Sequence, residues 1–218
     1  MSTSEHDLRQ RDGDRPPPRH AARRDGVEGN ARLTGSTAAL LFVLLAAEGV
    51  TVLRVRSLLT PHVFIGMLLV PPILLKIGST MWRFARYYSG DPGYRRNGPP
   101  PMGLRLLGPV VIILTVVVFA TGIVLMLGPT SWRTQLLFFH KASFIVWLAA
   151  MAVHVLGHLA ETATLAPRDW VGRTRREVAG AGLRQWALAA SLALGLVLAF
   201  MVVPSVGPWL RAVTTGHP

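Results

Sequence analysis

Five long, mostly apolar stretches take up most of the chain after residue 34, at residues 35–53, 61–84, 106–127, 137–163 and 183–203. Each reaches the length, about 18 residues or more, that a helix needs to cross the hydrocarbon of a bilayer. In that solvent every backbone N–H and C=O must find its partner within the segment, and a helix does this without help from a second strand. The chain is therefore expected to be all-α. It should form one integral membrane domain of five transmembrane helices over residues 34–205, with an N-terminal tail (1–33) and a short C-terminal tail (206–218). No stretch outside the helices is long enough for a separate soluble domain.

Charge gives the expected orientation. Seventeen arginines lie in the N-terminal tail and in the segments joining helices two to three and four to five, against four (Arg54, Arg56, Arg133 and Arg211) on the opposite side. The positive-inside rule puts the N-terminus in the cytoplasm and the C-terminus outside. This accounts for the net charge of +12 without nucleic acid, which a Pro- and acid-rich tail lacking aromatics is poorly suited to bind. The tail, with Pro16-Pro17-Pro18 and few apolar residues, reads as disordered. Arg23-Arg24 is reminiscent of a twin-arginine export signal, but Glu48 interrupts the following apolar run and no cleavage site stands out, so the first helix is expected to be a retained anchor. The loop over residues 89–102, SGDPGYRRNGPPPM, is too rich in glycine and proline for regular structure. Gly128-Pro129 should end the third helix, and Arg173 to Arg176 in the last cytoplasmic loop suit anionic lipid. The chain has no cysteine, which removes disulfides, iron–sulfur clusters and covalent haem attachment.

Ionisable groups inside hydrocarbon are costly, so each is a functional candidate. They are Glu48, His62, Lys76, His140, His154, His158 and Glu161; His6, His20 and His217 lie in the tails. His140 and His154 stand on the fourth helix at an interval of 14. Fourteen steps return to within about 40° of the same face, about 21 Å further along the axis, so the two imidazoles point the same way at two depths. Phe144, Trp147 and Met151 lie between them on that stripe, as space-filling for stacked cofactors or as ordinary packing. His62 and Lys76 repeat the interval of 14 on the second helix, although Pro71-Pro72 is expected to kink it. Helices two and four run parallel, so His62 and His140 share the outer level, and Lys76 and His154 the inner one. Glycines keep the same interval: Gly35 and Gly49 on the first helix, Gly108 and Gly122 on the third. Glycine permits close approach of a flat cofactor, and small residues also serve plain helix packing in membranes.

On these residues the chain resembles the haem-bearing four-helix half of cytochrome b, the quinol-oxidising membrane subunit of respiratory and photosynthetic complexes. In that family the second and fourth helices each carry two histidines at about this same interval, and glycines on the first and third make room for porphyrins. The resemblance covers residues 34–163 and rests on spacing. His62, His140 and His154 match three of the four family ligands, Lys76 stands at the fourth, and the later quinol-site motifs have no counterpart. The phrases HVFIGMLLVPPILLK and HKASFIVW are also similar to small actinobacterial membrane proteins related to cytochrome b.

The resemblance implies a haem-binding four-helix bundle with a fifth helix added, and one or two haem b groups. His62 with His140 would form a bis-histidine, low-spin site. At the inner level His154 would pair with Lys76 as a neutral amine, with the rivals that Lys76 meets a propionate or carries protons, or that His158 is the ligand and not a headgroup-level histidine. Glu161 reads as an interfacial residue. Glu48 reads as a proton relay, a quinone contact or a partner of Arg54. The implied function is electron transfer across a bacterial cytoplasmic membrane, between a quinone or partner oxidoreductase subunit and a second partner, by an electron-transfer subunit more than a stand-alone enzyme. Two other classes compete: a non-haem metal protein using His154 and His158, an i,i+4 pair with workable ligand spacing, and a cofactor-free scaffold or accessory subunit.

Overall fold

The computed structural model of the protein describes residues 19–95, 102–165 and 180–210. Among these every regular element is helical. The long helices are α1 (Arg19–Leu53), α2 (Leu59–Tyr88), α3 (Met102–Leu127), α4 (Arg133–Leu165) and α5 (Ala181–Val202), with single turns at Pro92–Arg95, Thr130–Trp132 and Val203–Val206. All five contain a stretch long and apolar enough to cross a membrane. The side chains are distributed inside-out relative to a soluble bundle. Large apolar residues such as Phe42, Ile113, Ile145, Leu156 and Phe200 are exposed, while Ser36, Thr37, Thr51, Thr115 and Ser191 are buried. Small hydroxyl residues let helices approach closely and satisfy themselves on their own helix: Thr37 donates to Leu33 O at 2.7 Å and Thr115 to Val111 O at 2.7 Å. The chain is a multi-pass membrane protein, and its outer surface is made for lipid.

α1 packs along α2 and α4, α3 along α4, and α5 along α2. Among the described residues α2 and α4 share no extended seam, and α5 lies outside the first four helices. The α2–α5 seam follows from proline chemistry. Pro72, buried in mid-helix, has no N–H to give the Leu68 carbonyl one turn earlier. Gly195 of α5 covers that carbonyl so closely that a Cβ would stand 2.5 Å from Leu68 O. Ser191 and Ala199 continue the small, buried face of α5, and Phe64 meets Phe200 edge to face at 5.3 Å.

Two expectations about chain ends are corrected. α1 begins at Arg19, so residues 19–33 are helical although they read as disordered tail. Their charge is paired within α1, where Arg32 is buried and meets Glu28 one turn earlier at 3.1 Å, and the segment docks on α2 through Asn30 Nδ2, which donates to Ser79 O at 3.3 Å. The loop from residue 89 holds a helical turn. α2 stops at Gly90, whose φ of +87° suits glycine. Asp91 N–H then donates to Arg86 O at 3.1 Å and Gly90 N–H to Tyr87 O at 3.3 Å, the Schellman pattern. Asp91 next caps Pro92–Arg95, its Oδ1 accepting from Gly93 N–H at 2.9 Å, with Pro92 in the first helical position where a missing N–H costs nothing. The tail 1–18, the loop residues 96–101 and 166–179, and His217 lie outside the described residues.

Candidate functional site

The site forms at the end of the bundle where residues 54–58 join α1 to α2 and residues 128–132 join α3 to α4. The first connection is tight: Ser57 N–H and Leu58 N–H both donate to Arg54 O, at 3.0 and 2.9 Å. It therefore returns the chain at once, setting His62 in the first turn of α2 beside Glu48 in the last turns of α1. His62 Nδ1 is 2.8 Å from Glu48 Oε1 and 3.3 Å from Thr51 Oγ1. Thr51 in turn donates to Glu48 Oε2 at 3.0 Å, so the carboxylate is held on both sides. The Glu48 side chain is only 13% exposed and that of His62 22%.

His140 is held by α3 in a parallel manner. Its Nδ1 lies 3.1 Å from Val118 O and 3.1 Å from Thr121 Oγ1. The ring rests on Gly122, where an added Cβ would meet His140 Cε1 at 3.0 Å and Nδ1 at 3.4 Å. Gly122 thus makes room for the imidazole itself. The two rings, one from α2 and one from α4, stand edge to face, centroids 6.5 Å apart and planes at 66°.

That separation has a chemical meaning. A metal–imidazole bond is about 2.0–2.1 Å and the ring centre lies about 1.1–1.2 Å behind the nitrogen, so two imidazoles on opposite sides of one metal have centroids about 6.2–6.6 Å apart. Ligating histidines also engage the second ring nitrogen with a carboxylate or backbone carbonyl, which fixes the tautomer. Glu48 does this for His62, and Val118 O for His140. With Nδ1 occupied on both rings, Nε2 is the atom each has left to offer. Compared with known protein families, curated proteins and solved structures, the chain matches none.

The other expected site residues are distributed unevenly. His154 is half-buried on α4. Lys76 Nζ donates to Thr34 O at 3.0 Å, and Thr34 Oγ1 to Ser79 Oγ at 3.1 Å, in a polar seam between α1 and α2 at the far end of the bundle. Gly35 is buried. A Cβ on Gly49 or Gly108 would meet nothing within 4 Å, so neither glycine is required by protein packing. His158 and Glu161 lie in α4, but their side chains are outside the described residues. Trp147 is buried and donates from Nε1 to Thr115 Oγ1 at 2.8 Å, stacked on Phe144, and so ties α4 to α3 halfway along.

Glu48 is the residue whose role sequence reading placed least well. Its partner is His62, not Arg54. The signal lay in the brevity of the connection: five residues separate α1 from α2, so positions a few residues from either side must stand at one height. Thr121 and the Val118 carbonyl carried no signal, being ordinary helix residues until His140 is placed against them.

Proposed function

We propose that the protein is a transmembrane b-type cytochrome, with one haem held between α2 and α4 by His62 and His140. The observation that carries this is the pair of imidazoles at one-metal separation, each with Nδ1 engaged and Nε2 left over. The donor set argues for a porphyrin over a bare ion. Among the described residues no group of three or more His, Asp or Glu could hold a metal ion, so two imidazoles would suit a cofactor that brings further ligands of its own, and α2 and α4 share no extended seam.

When bound, the haem supplies one-electron redox chemistry, with a potential set by its ligands and surroundings. The chain's own residues bind, orient and insulate. Glu48 and Thr51 hold the His62 ring by Nδ1 and leave Nε2 to ligate, Thr121 and Val118 O do the same for His140, and the apolar helix surfaces exclude water. Seventeen arginines on one side against four on the other support a cytoplasmic N-terminus, and with it a histidine pair near the extracytoplasmic face of a bacterial cytoplasmic membrane. In this reading the protein passes electrons between that level and a quinone or partner oxidoreductase subunit. Protein purified from haem-supplied cells should give a reduced-minus-oxidised spectrum of b type, with haem close to one per chain. A protein that gains no Soret band on haem titration would leave the accessory-subunit reading in its place.

A further inference from the structure

Arg133 opens α4, and Trp209 follows the last turn after α5. The guanidinium lies over the indole, Cζ 4.4 Å from the ring centroid. Nε of Arg133 and Nε1 of Trp209 are both buried, and neither has a hydrogen-bond partner among the described residues. Buried donors left without an acceptor are costly and uncommon, and here two belong to one stacked pair. Both groups only donate and one is a cation, so what completes them is an acceptor carrying negative charge. Arg133 precedes His140 by seven positions, two turns that return to within about 20° of the same face, about 10.5 Å along the axis. Arg133 therefore lies on the His140 face of α4, two turns toward the end of the bundle, with Trp209 stacked against it.

We propose that Arg133 and Trp209 form an oxyanion-binding site, in which the segment after α5 supplies one donor and the start of α4 the other. Resting on the haem reading above, the occupant is a propionate carboxylate of the haem held by His62 and His140. The same donors suit the phosphate of an anionic lipid headgroup, the other source of that chemistry at a membrane surface.

The purified protein, in bilayers of phosphatidylcholine with or without phosphatidylglycerol, is titrated with haem and with haem dimethyl ester, whose propionates carry no charge. Wild type should prefer haem. Arg133→Gln should cut that preference roughly 10- to 100-fold, the range for a hydrogen bond to a charged group. Trp209→Phe, which keeps the ring and loses only the N–H, should act in the same direction by less. If instead the preference holds in both variants while stabilisation of the wild type by phosphatidylglycerol is lost in both, the oxyanion is a headgroup. If both variants keep the haem preference and the lipid stabilisation, the site is overturned. A wild type that binds neither haem nor its ester sinks the haem reading alone, and the phosphatidylglycerol comparison still tests Arg133 and Trp209.

Discussion

Gly108 and Gly122 share α3 at the interval of 14, and alanine should have opposite effects at the two. At Gly108 a Cβ meets nothing within 4 Å, so Gly108→Ala should gain the helix-interior preference of alanine, about 0.5–1 kcal/mol. At Gly122 the same gain is set against a methyl 3.0 Å from His140 Cε1 and 3.4 Å from Nδ1. The ring cannot retreat freely, because Nδ1 is tied to Val118 O and Thr121 Oγ1, both at 3.1 Å. Overpacking of this kind costs about 1–3 kcal/mol, so Gly122→Ala should be destabilised relative to Gly108→Ala by about that amount. Turning the imidazole out of its hydrogen bonds should also weaken haem binding, and loss of such outer contacts typically costs about 10- to 100-fold in affinity. Thermal unfolding of haem-free protein in detergent reads the first effect, and haem titration followed at the Soret band reads the second. Equal stability and equal haem affinity in the two variants would refute the assignment of Gly122 to the His140 ring. A Gly108→Ala protein that is stable without haem but binds it poorly would show that this glycine makes room for the porphyrin.

Other outcomes follow from the same contacts. Glu48→Gln keeps the shape beside His62 but removes the charge 2.8 Å from Nδ1. It should raise the haem midpoint potential, by on the order of 100 mV for one charge about 7 Å from the iron at an effective dielectric near 20, as read by redox titration. Gly195→Ala puts a Cβ 2.5 Å from Leu68 O and should loosen α5 from α2 at a cost of about 1–3 kcal/mol, seen as a lowered thermal midpoint and faster proteolysis near residue 180. Trp147→Phe removes the 2.8 Å bond to Thr115 and should cost about 1 kcal/mol in stability while leaving the visible spectrum unchanged.

The five spans were legible because apolar length alone decides them: a run such as residues 106–127 has no other stable state in lipid. Their ends were less so. Charge and proline near residues 19–33 and 89–95 signal solvent, yet those residues continue or restart helix where a partner takes the charge, as Glu28 does for Arg32 and Arg86 for Asp91 at 2.6 Å. At the site, parallel helices two and four, each with its histidine near the outer end, were enough to expect His62 and His140 at one level, and the rings do meet there. What register does not carry is who holds each ring. Glu48, Val118 O and Thr121 act across helix pairs, and which pairs touch is fixed by packing, such as the meeting of Gly195 with the carbonyl that Pro72 leaves open. Lys76 illustrates the limit: its position fits a second ligand, while its amine donates to Thr34 O.

The central claim is that His62 and His140 share one iron, and a single-ligand variant tests it most directly. Haem-loaded wild type should give a low-spin ferric EPR signal. His62→Ala should convert it to a high-spin signal while retaining much of the haem on His140, and added imidazole, filling the space left by the lost ring, should restore the low-spin form. A His62→Ala protein with the wild-type low-spin signal and no response to imidazole would contradict the claim.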